Sequence, residues 1–205
     1  MDRTRSLGTK VIKRFVGREM ERIFPEVAAL RIQIFRDYPY LYEGDLDYEK
    51  KYLQRYSKSE MGFLAALYDE SRLIGAATAL PLLDEEDFVR RPFQTQGWPL
   101  ESVFYFGESV LLPEYRGQGL GHIFFDEREQ FALQNSRFRW TSFCAVVRPE
   151  SHPAKPANYR PLDEFWKKRG YDPVPTLKSE FSWADLGSTT ETSKPMQFWI
   201  RDWSK

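Results

Sequence analysis

Cysteine and histidine are scarce in this chain. Cys144 is the only cysteine, so no disulfide can form within it. His122 and His152 are the only histidines. A Cys-rich zinc site and a multi-histidine metal cage are therefore excluded. A site of carboxylates alone stays open, but no metal is expected. No apolar run approaches the roughly 18 residues that a bilayer span requires. The opening Met1-Asp2-Arg3-Thr4-Arg5-Ser6 is not followed by an apolar signal core. A cytoplasmic protein with no membrane partner is the expectation. Neither sign of charge is in excess, since 30 basic residues balance 30 acidic ones. Bulk attraction to nucleic acid is not supported, and no nucleic-acid partner is expected.

What the chain does have is apolar and aromatic bulk, at 41% and 16% of 205 residues. That is enough to bury one sizeable core, so residues 1–205 are expected to form one domain, ordered over about 10–203. Lys10–Phe15 reads as a strand, and Ile23–Asp37 as a helix with apolar residues at helical spacing. Tyr38–Asp47 reads as a loop dense in tyrosine and acid, and Leu46–Ser57 as a second helix. Gly62–Tyr68 and Leu73–Leu80 form a hairpin about the turn Asp69–Arg72. A short acidic helix at about Asp84–Val89 and a loop follow. Val103–Leu112 is a buried strand stopped by Pro113. Gly119–Gln134 is a helix with Leu120, Ile123, Phe124, Phe131 and Ala132 inward and Asp126–Glu129 largely opposite. Trp140–Val147 is a strand, Arg148–Pro161 a proline-rich loop and Leu162–Lys168 a short helix. Glu180–Trp183 and Gln197–Trp203 close the chain as strands. This order predicts a mixed α/β (α+β) fold, with a largely antiparallel sheet of about seven strands flanked by helices.

The most informative stretch is Phe106-Gly107-Glu108-Ser109-Val110-Leu111-Leu112-Pro113-Glu114-Tyr115-Arg116-Gly117-Gln118-Gly119-Leu120-Gly121. A strand, a proline stop, an Arg-x-x-Gly turn and a helix start make an anion site. The glycines let backbone amides approach a ligand. The first helical N–H groups lack internal partners, and the helix dipole favours negative charge there. A diphosphate is the natural guest. The loop is not a Walker A motif, because no Gly-Lys-Ser/Thr follows. It is a poor dinucleotide fingerprint, since Gly-x-Gly-x-Gly lies late in the chain after an antiparallel hairpin.

The run Leu111-x-Pro113-Glu114-Tyr115-Arg116-Gly117-Gln118-Gly119-Leu120-Gly121 resembles the coenzyme A motif of the GNAT superfamily of acetyl-CoA-dependent acyltransferases. The resemblance implies a splayed cleft between the family's fourth and fifth strands, which takes the pantetheine arm on exposed backbone. That backbone would be Leu111 and Leu112 here. The diphosphate would lie on amides from Arg116 to Gly121, above all Gly117, Gln118 and Gly119, with Leu120 opening the helix. Asn158 fits the family's pantetheine-binding asparagine, with one extra residue before Gly170-Tyr171. Acetyl-CoA is the implied co-substrate, and a small-molecule amine the implied acceptor.

Neutralising a primary amine at pH 7 costs about 4.6 kcal/mol, from a pKa of about 10.4. A general base can manage that proton. Glu108 lies where many members carry a catalytic glutamate, and it shares strand parity with Phe104 and Phe106 unless a bulge intervenes. The family's acid tyrosine falls at Trp166, and an indole cannot serve. Tyr159 or water is left to protonate the leaving thiolate. The family's acceptor loop corresponds to Tyr38, Tyr40, Tyr42, Glu43, Asp45 and Asp47, and His152 lies in a loop that borders the same pocket. Carboxylates beside aromatic faces suit a cationic amine. Cys144 has no base beside it and reads as structural. A coenzyme-binding module without catalysis, acetylation of a protein or peptide amine, and a homodimer all remain open.

Overall fold

The computed structural model describes residues 4–204; Met1–Arg3 and Lys205 lie outside the described residues. Eight strands form one sheet: β1 (Thr4–Leu7), β2 (Lys10–Val16), β3 (Phe63–Asp69), β4 (Arg72–Pro81), β5 (Val103–Leu111), β6 (Trp140–Val146), β7 (Asp172–Ala184) and β8 (Glu191–Asp202). Their order is β1-β2-β3-β4-β5-β6-β8-β7. Every pairing is antiparallel except β5 with β6.

Helices cover both faces. On one lie α1 (Phe24–Phe35) and α2 (Leu46–Lys58), and on the other α4 (Leu120–Leu133) and α5 (Asp163–Lys168). Strand alternation on β5 separates the two faces. Phe106 packs on Phe125 of α4, with ring centroids 6.0 Å apart. Its neighbour Gly107 meets the Tyr56 hydroxyl of α2. Double cover explains why β3 and β4 are buried along nearly their whole length. Ala65, Ala66, Ala76, Ala77 and Ala79 keep the helices close, and a Cβ at Gly75 would meet Phe124 at 2.7 Å. Each fully buried Leu or Phe in this core contributes about 1.5–3 kcal/mol. A second apolar cluster, with Leu82, Phe93, Val103, Tyr105, Cys144 and Phe198, lies under α3 (Asp87–Thr95).

Several elements differ from the sequence reading. The short strand β1 is additional, and α3 runs to Thr95 through Pro92. Pro92 has no N–H for the carbonyl of Phe88; the Ser179 hydroxyl donates to that carbonyl instead, at 2.7 Å. The acidic helix expected at Asp84–Val89 is a 3-10 turn, Leu82–Asp84, followed by α3. The last two strands are far longer than their apolar patches. The face of α4 expected in solvent is buried at Glu127, Arg128 and Glu129. Buried charge requires partners. Arg14 of β2 forks onto Glu127, and Arg169 and the Tyr171 hydroxyl bind Glu129. Among the described residues no helix is long and apolar enough to cross a membrane.

Candidate active site

β5 and β6 pair only from Val103 to Tyr105, against Trp140 to Ser142. Beyond that β5 stays on β4 up to Leu111, and β6 stays on β8 up to Val146. The two strands part, and a gap opens along Phe106–Leu111. Leu112 does not serve the gap as expected. Its N–H donates to Ile74 at 2.9 Å, and its carbonyl accepts from Tyr115 at 3.0 Å. By alternation Leu111 and Ser109 turn their backbone groups away from β4 into the gap. The Leu111 carbonyl accepts from Arg116 Nε at 3.2 Å.

At the end of the gap, the turn Pro113–Tyr115 leads into the glycine loop. Gly117 and Gly119 have φ of 76° and 78°, in the left-handed region that favours glycine. Among the described residues, the N–H groups of Gly117, Gln118, Gly119, Leu120 and Gly121 have no acceptor. Five free amides at the start of a 14-residue helix form an anion cradle. A Cβ at 117 or 119 would meet nothing within 4 Å, so the space above the loop is open. Arg116 is exposed, with its guanidinium 3.7 Å from Asp37. These residues fit a diphosphate on the loop and an extended arm along β5.

Glu108 sits on a β-bulge. Ala77 pairs with Ser109 and Ala79 with Phe106, so Gly107 and Glu108 together face Thr78. The parity expected with Phe104 and Phe106 is thereby broken. The two phenylalanines face α4, while Glu108 faces α1 and α2. Its neighbours are polar rather than apolar. Tyr52 donates to Glu108 Oε2 at 2.9 Å, and Tyr56 at 3.5 Å. Arg31 Nη1 lies 2.6 Å from Oε1 as an ion pair, yet neither atom has an in-line hydrogen bond. Arg31 Nε also binds Glu49. Burial works against its charge, but Glu108, Tyr52 and Glu49 outweigh it and hold Arg31 well above the usual arginine value. Burial and the Glu108 charge raise Tyr52 and Tyr56, so both keep their protons. Arg128 fixes the bulge from the other face. It donates to the carbonyls of Thr78 and Glu108 and to the Ser109 hydroxyl.

The acceptor candidates divide. Tyr38, Tyr159 and His152 come together, with Tyr38 edge-on to Tyr159 at 4.6 Å and 5.7 Å from the His152 ring. Tyr40 packs on Phe35 at 4.6 Å and on Trp183 at 6.0 Å. Burial, then the neighbouring Cys144, raise its pKa, and it feels Arg31, Glu108 and Tyr159 as well. Tyr42 and Glu43 turn away. Tyr42 lies beside Glu49, its pKa raised by burial and that carboxylate, and Glu43 holds Arg36 at 2.8 Å. Asp45 caps α2 through the amides of Asp47 and Tyr48. Asn158 is exposed and makes no hydrogen bond among the described residues. Trp166 is packed between Phe143 and Trp199. The Cys144 thiol is 3.1 Å from the Tyr105 hydroxyl, and burial pushes it up to about 12.

The sequence reading missed Arg31, Tyr52, Tyr56 and Arg148. Arg31 had a visible signal, a charge at helical spacing within the apolar stripe of Val27, Leu30 and Ile34. Tyr52 and Tyr56, four apart, share a helix face. Arg148 had none; it binds the carbonyls of Pro39 and Tyr40 and the Asp185 carboxylate, and so holds the tyrosine loop.

The family model for the acetyltransferase (GNAT) family matches residues 27–157. No curated protein matches the chain. Solved structures share the fold. A ribosomal-protein-alanine N-acetyltransferase from Brucella melitensis aligns with a TM-score of 0.60 at 12% identity, over 93% of this chain and 98% of that one. A GNAT-family acetyltransferase from Streptococcus pneumoniae gives 0.59 at 13%, over 94% and 99%. The yncA protein of Salmonella typhimurium, a putative acetyltransferase solved with acetyl-CoA, gives 0.57 at 8%, over 96% and 95%. The family match takes in Arg31, the Glu108 bulge and the whole glycine loop, and the chain belongs to the GNAT acetyltransferase family.

Proposed function

We propose that this chain moves the acetyl group of acetyl-CoA onto the nitrogen of a small-molecule amine by direct attack, with Glu108 as general base. One observation carries the reading: a bulge sets the buried Glu108 carboxylate beside a gap in the sheet that ends in five free amides. When bound, acetyl-CoA supplies the activated thioester. Gly117–Gly121 would hold its diphosphate, and the β5 edge at Ser109 and Leu111 its arm. Asn158 is a further candidate for the arm.

The chain's own residues handle protons. An amine with a pKa of about 10.4 arrives mostly protonated at pH 7. Glu108 Oε1, ion-paired but without an in-line hydrogen bond, is the atom placed to take that proton. The nitrogen then bonds to the acetyl carbon, the carbon–sulfur bond breaks, and the remaining surplus N–H proton ends on the departing sulfur. Burial raises the Tyr159 pKa. A thiol near about 8.5 is a stronger acid than a tyrosine near about 10, so Tyr159 serves as a hydrogen-bond donor to the sulfur and keeps its proton. Direct transfer is preferred to a covalent enzyme intermediate because the Cys144 thiol stays protonated.

A second reading is a coenzyme-binding module without catalysis. The engagement of both Glu108 oxygens with Arg31, Tyr52 and Tyr56 favours it. Acetyl-CoA calorimetry, followed by thiol release over a panel of amines and peptide N-termini, separates the readings. Binding with release for small amines supports transfer to small molecules. Release for peptides alone moves the acceptor to proteins. Binding without any release supports the module, and no binding overturns all three. Action in the cytoplasm, and pairing of two copies through the free edge of β1 or β7, belong to the same proposal. Light scattering reads the second.

A further inference from the structure

We infer that the acceptor is a monoamine with an aromatic body, an inference that rests on the acetyl-transfer reading above. The acceptor side is a wall of half-buried rings, Tyr38 with Tyr159 and His152, and Tyr40 with Trp183. Tyr40 ties that wall to the reaction centre: its ring packs on Phe35 at 4.6 Å, and the Phe35 ring lies 4.9 Å from the Arg31 guanidinium that pairs with Glu108. The hydroxyls of Tyr38, Tyr40 and Tyr159 have no hydrogen-bond partner among the described residues. They leave room for a polar substituent on a guest.

Most of the fixed charge near this wall is paired among the described residues. Arg148 is bound to Asp185 and to two backbone carbonyls. Glu43 is turned onto Arg36, and Glu150 holds Lys155. Asp163, exposed at the start of α5, is the one further carboxylate that Tyr159 feels, and it has no ion partner among the described residues. The deep end therefore offers one carboxylate for one amine, and the rest offers ring faces and edges. A polyamine would find no row of carboxylates. A planar apolar body carrying one amine satisfies both ends, and each ring contact is worth up to about tenfold in affinity.

The test compares kcat/KM for phenethylamine and tyramine with n-hexylamine, spermidine and an alanyl peptide, in the wild type and in Tyr38→Leu. A preference of about tenfold or more for the aryl amines, falling to within about twofold of n-hexylamine in Tyr38→Leu, is expected. Because the readout is a ratio within each protein, partial misfolding of the variant does not imitate it. Calorimetry of phenethylamine against the CoA-loaded protein gives a second readout independent of turnover. Equal rates for aryl and alkyl amines, or a preference for spermidine or the peptide, overturns the inference while leaving acetyl transfer in place. Absence of acetyl-CoA binding removes the parent reading and this one with it.

Discussion

Arg31 stands between two buried carboxylates, Glu49 and Glu108, with the Tyr52 ring 4.1 Å from its guanidinium carbon. Two acids sharing one base leave the pair stable only while the guanidinium is present. Removing one partner of a buried ion pair typically costs about 3–5 kcal/mol. Arg31→Met is expected to lose stability in that range by urea denaturation, and Arg31→Met/Glu49→Gln to recover part of it. A loss under about 1 kcal/mol in the single variant would mean that the cluster is hydrated and weak. Cys144 gives a second residue-scale prediction. With its thiol pushed up to about 12, almost no thiolate exists at pH 8. Labelling by a thiol reagent is expected to proceed only as fast as the protein opens, and rapid stoichiometric labelling of the native protein would contradict the burial.

The bulge is the feature that matters at the scale of elements. It needs glycine at 107, since a Cβ there would meet the Tyr56 hydroxyl at 1.9 Å and Thr78 Oγ1 at 2.6 Å. Overpacking of this kind costs about 1–3 kcal/mol. Gly107→Ala is expected to lower the melting temperature and to reduce turnover, because the strand must shift where Glu108 is mounted. Tyr56→Phe removes the tightest contact, so the double variant is expected to be more stable than the sum of the two single changes allows. Simple additivity would show that the strand relaxes elsewhere. Arg128 supports the same segment from the α4 side, where it bridges the carbonyls of both strands.

Across the whole molecule, many tyrosines are buried or half-buried and hold their protons. Tyr40, Tyr42, Tyr52, Tyr56, Tyr105 and Tyr171 are all raised, each chiefly by burial. Cys144 is raised too, whereas burial lowers Arg128 to about 10 and acts in the opposite sense. An unfolded tyrosine loses its proton near about pH 10. Above that pH the unfolded state binds fewer protons than the native one, so stability falls as pH rises. The melting temperature is expected to be nearly level from pH 7 to about 9 and to drop steeply beyond about 10. A level profile up to about pH 11 would contradict the buried tyrosine network.

Much of this architecture is legible in the chain. The β3–β4 hairpin, strand β5, helix α4 and the glycine turn follow from apolar period, proline stops and glycine spacing. The bulge is not, because the extra residue at Gly107–Glu108 shows only in its pairing across from Thr78 on β4. The full length of β7 and β8 is hidden for another reason: Pro173, Pro175 and the polar run Glu191–Lys194 read as loop, and only pairing makes them strand. Glu127, Arg128 and Glu129 look like a solvated face until Arg14 of β2, the β4 and β5 backbone and Arg169 supply their partners. In the site, Glu108 and the loop amides rest on local sequence. Their neighbours Arg31 and Tyr52 come from helices far away in the chain, and no local pattern links them.

The central claim is that Glu108, mounted on the bulge at the mouth of the coenzyme gap, takes the proton from the amine. Its most direct test is Glu108→Gln, measured for acetyl-CoA affinity by calorimetry and for turnover at neutral pH with the best amine. The account predicts affinity within about twofold of wild type and a fall in kcat of about 100-fold or more. Turnover within about threefold of wild type, with an unchanged pH–rate profile, would take Glu108 out of the mechanism.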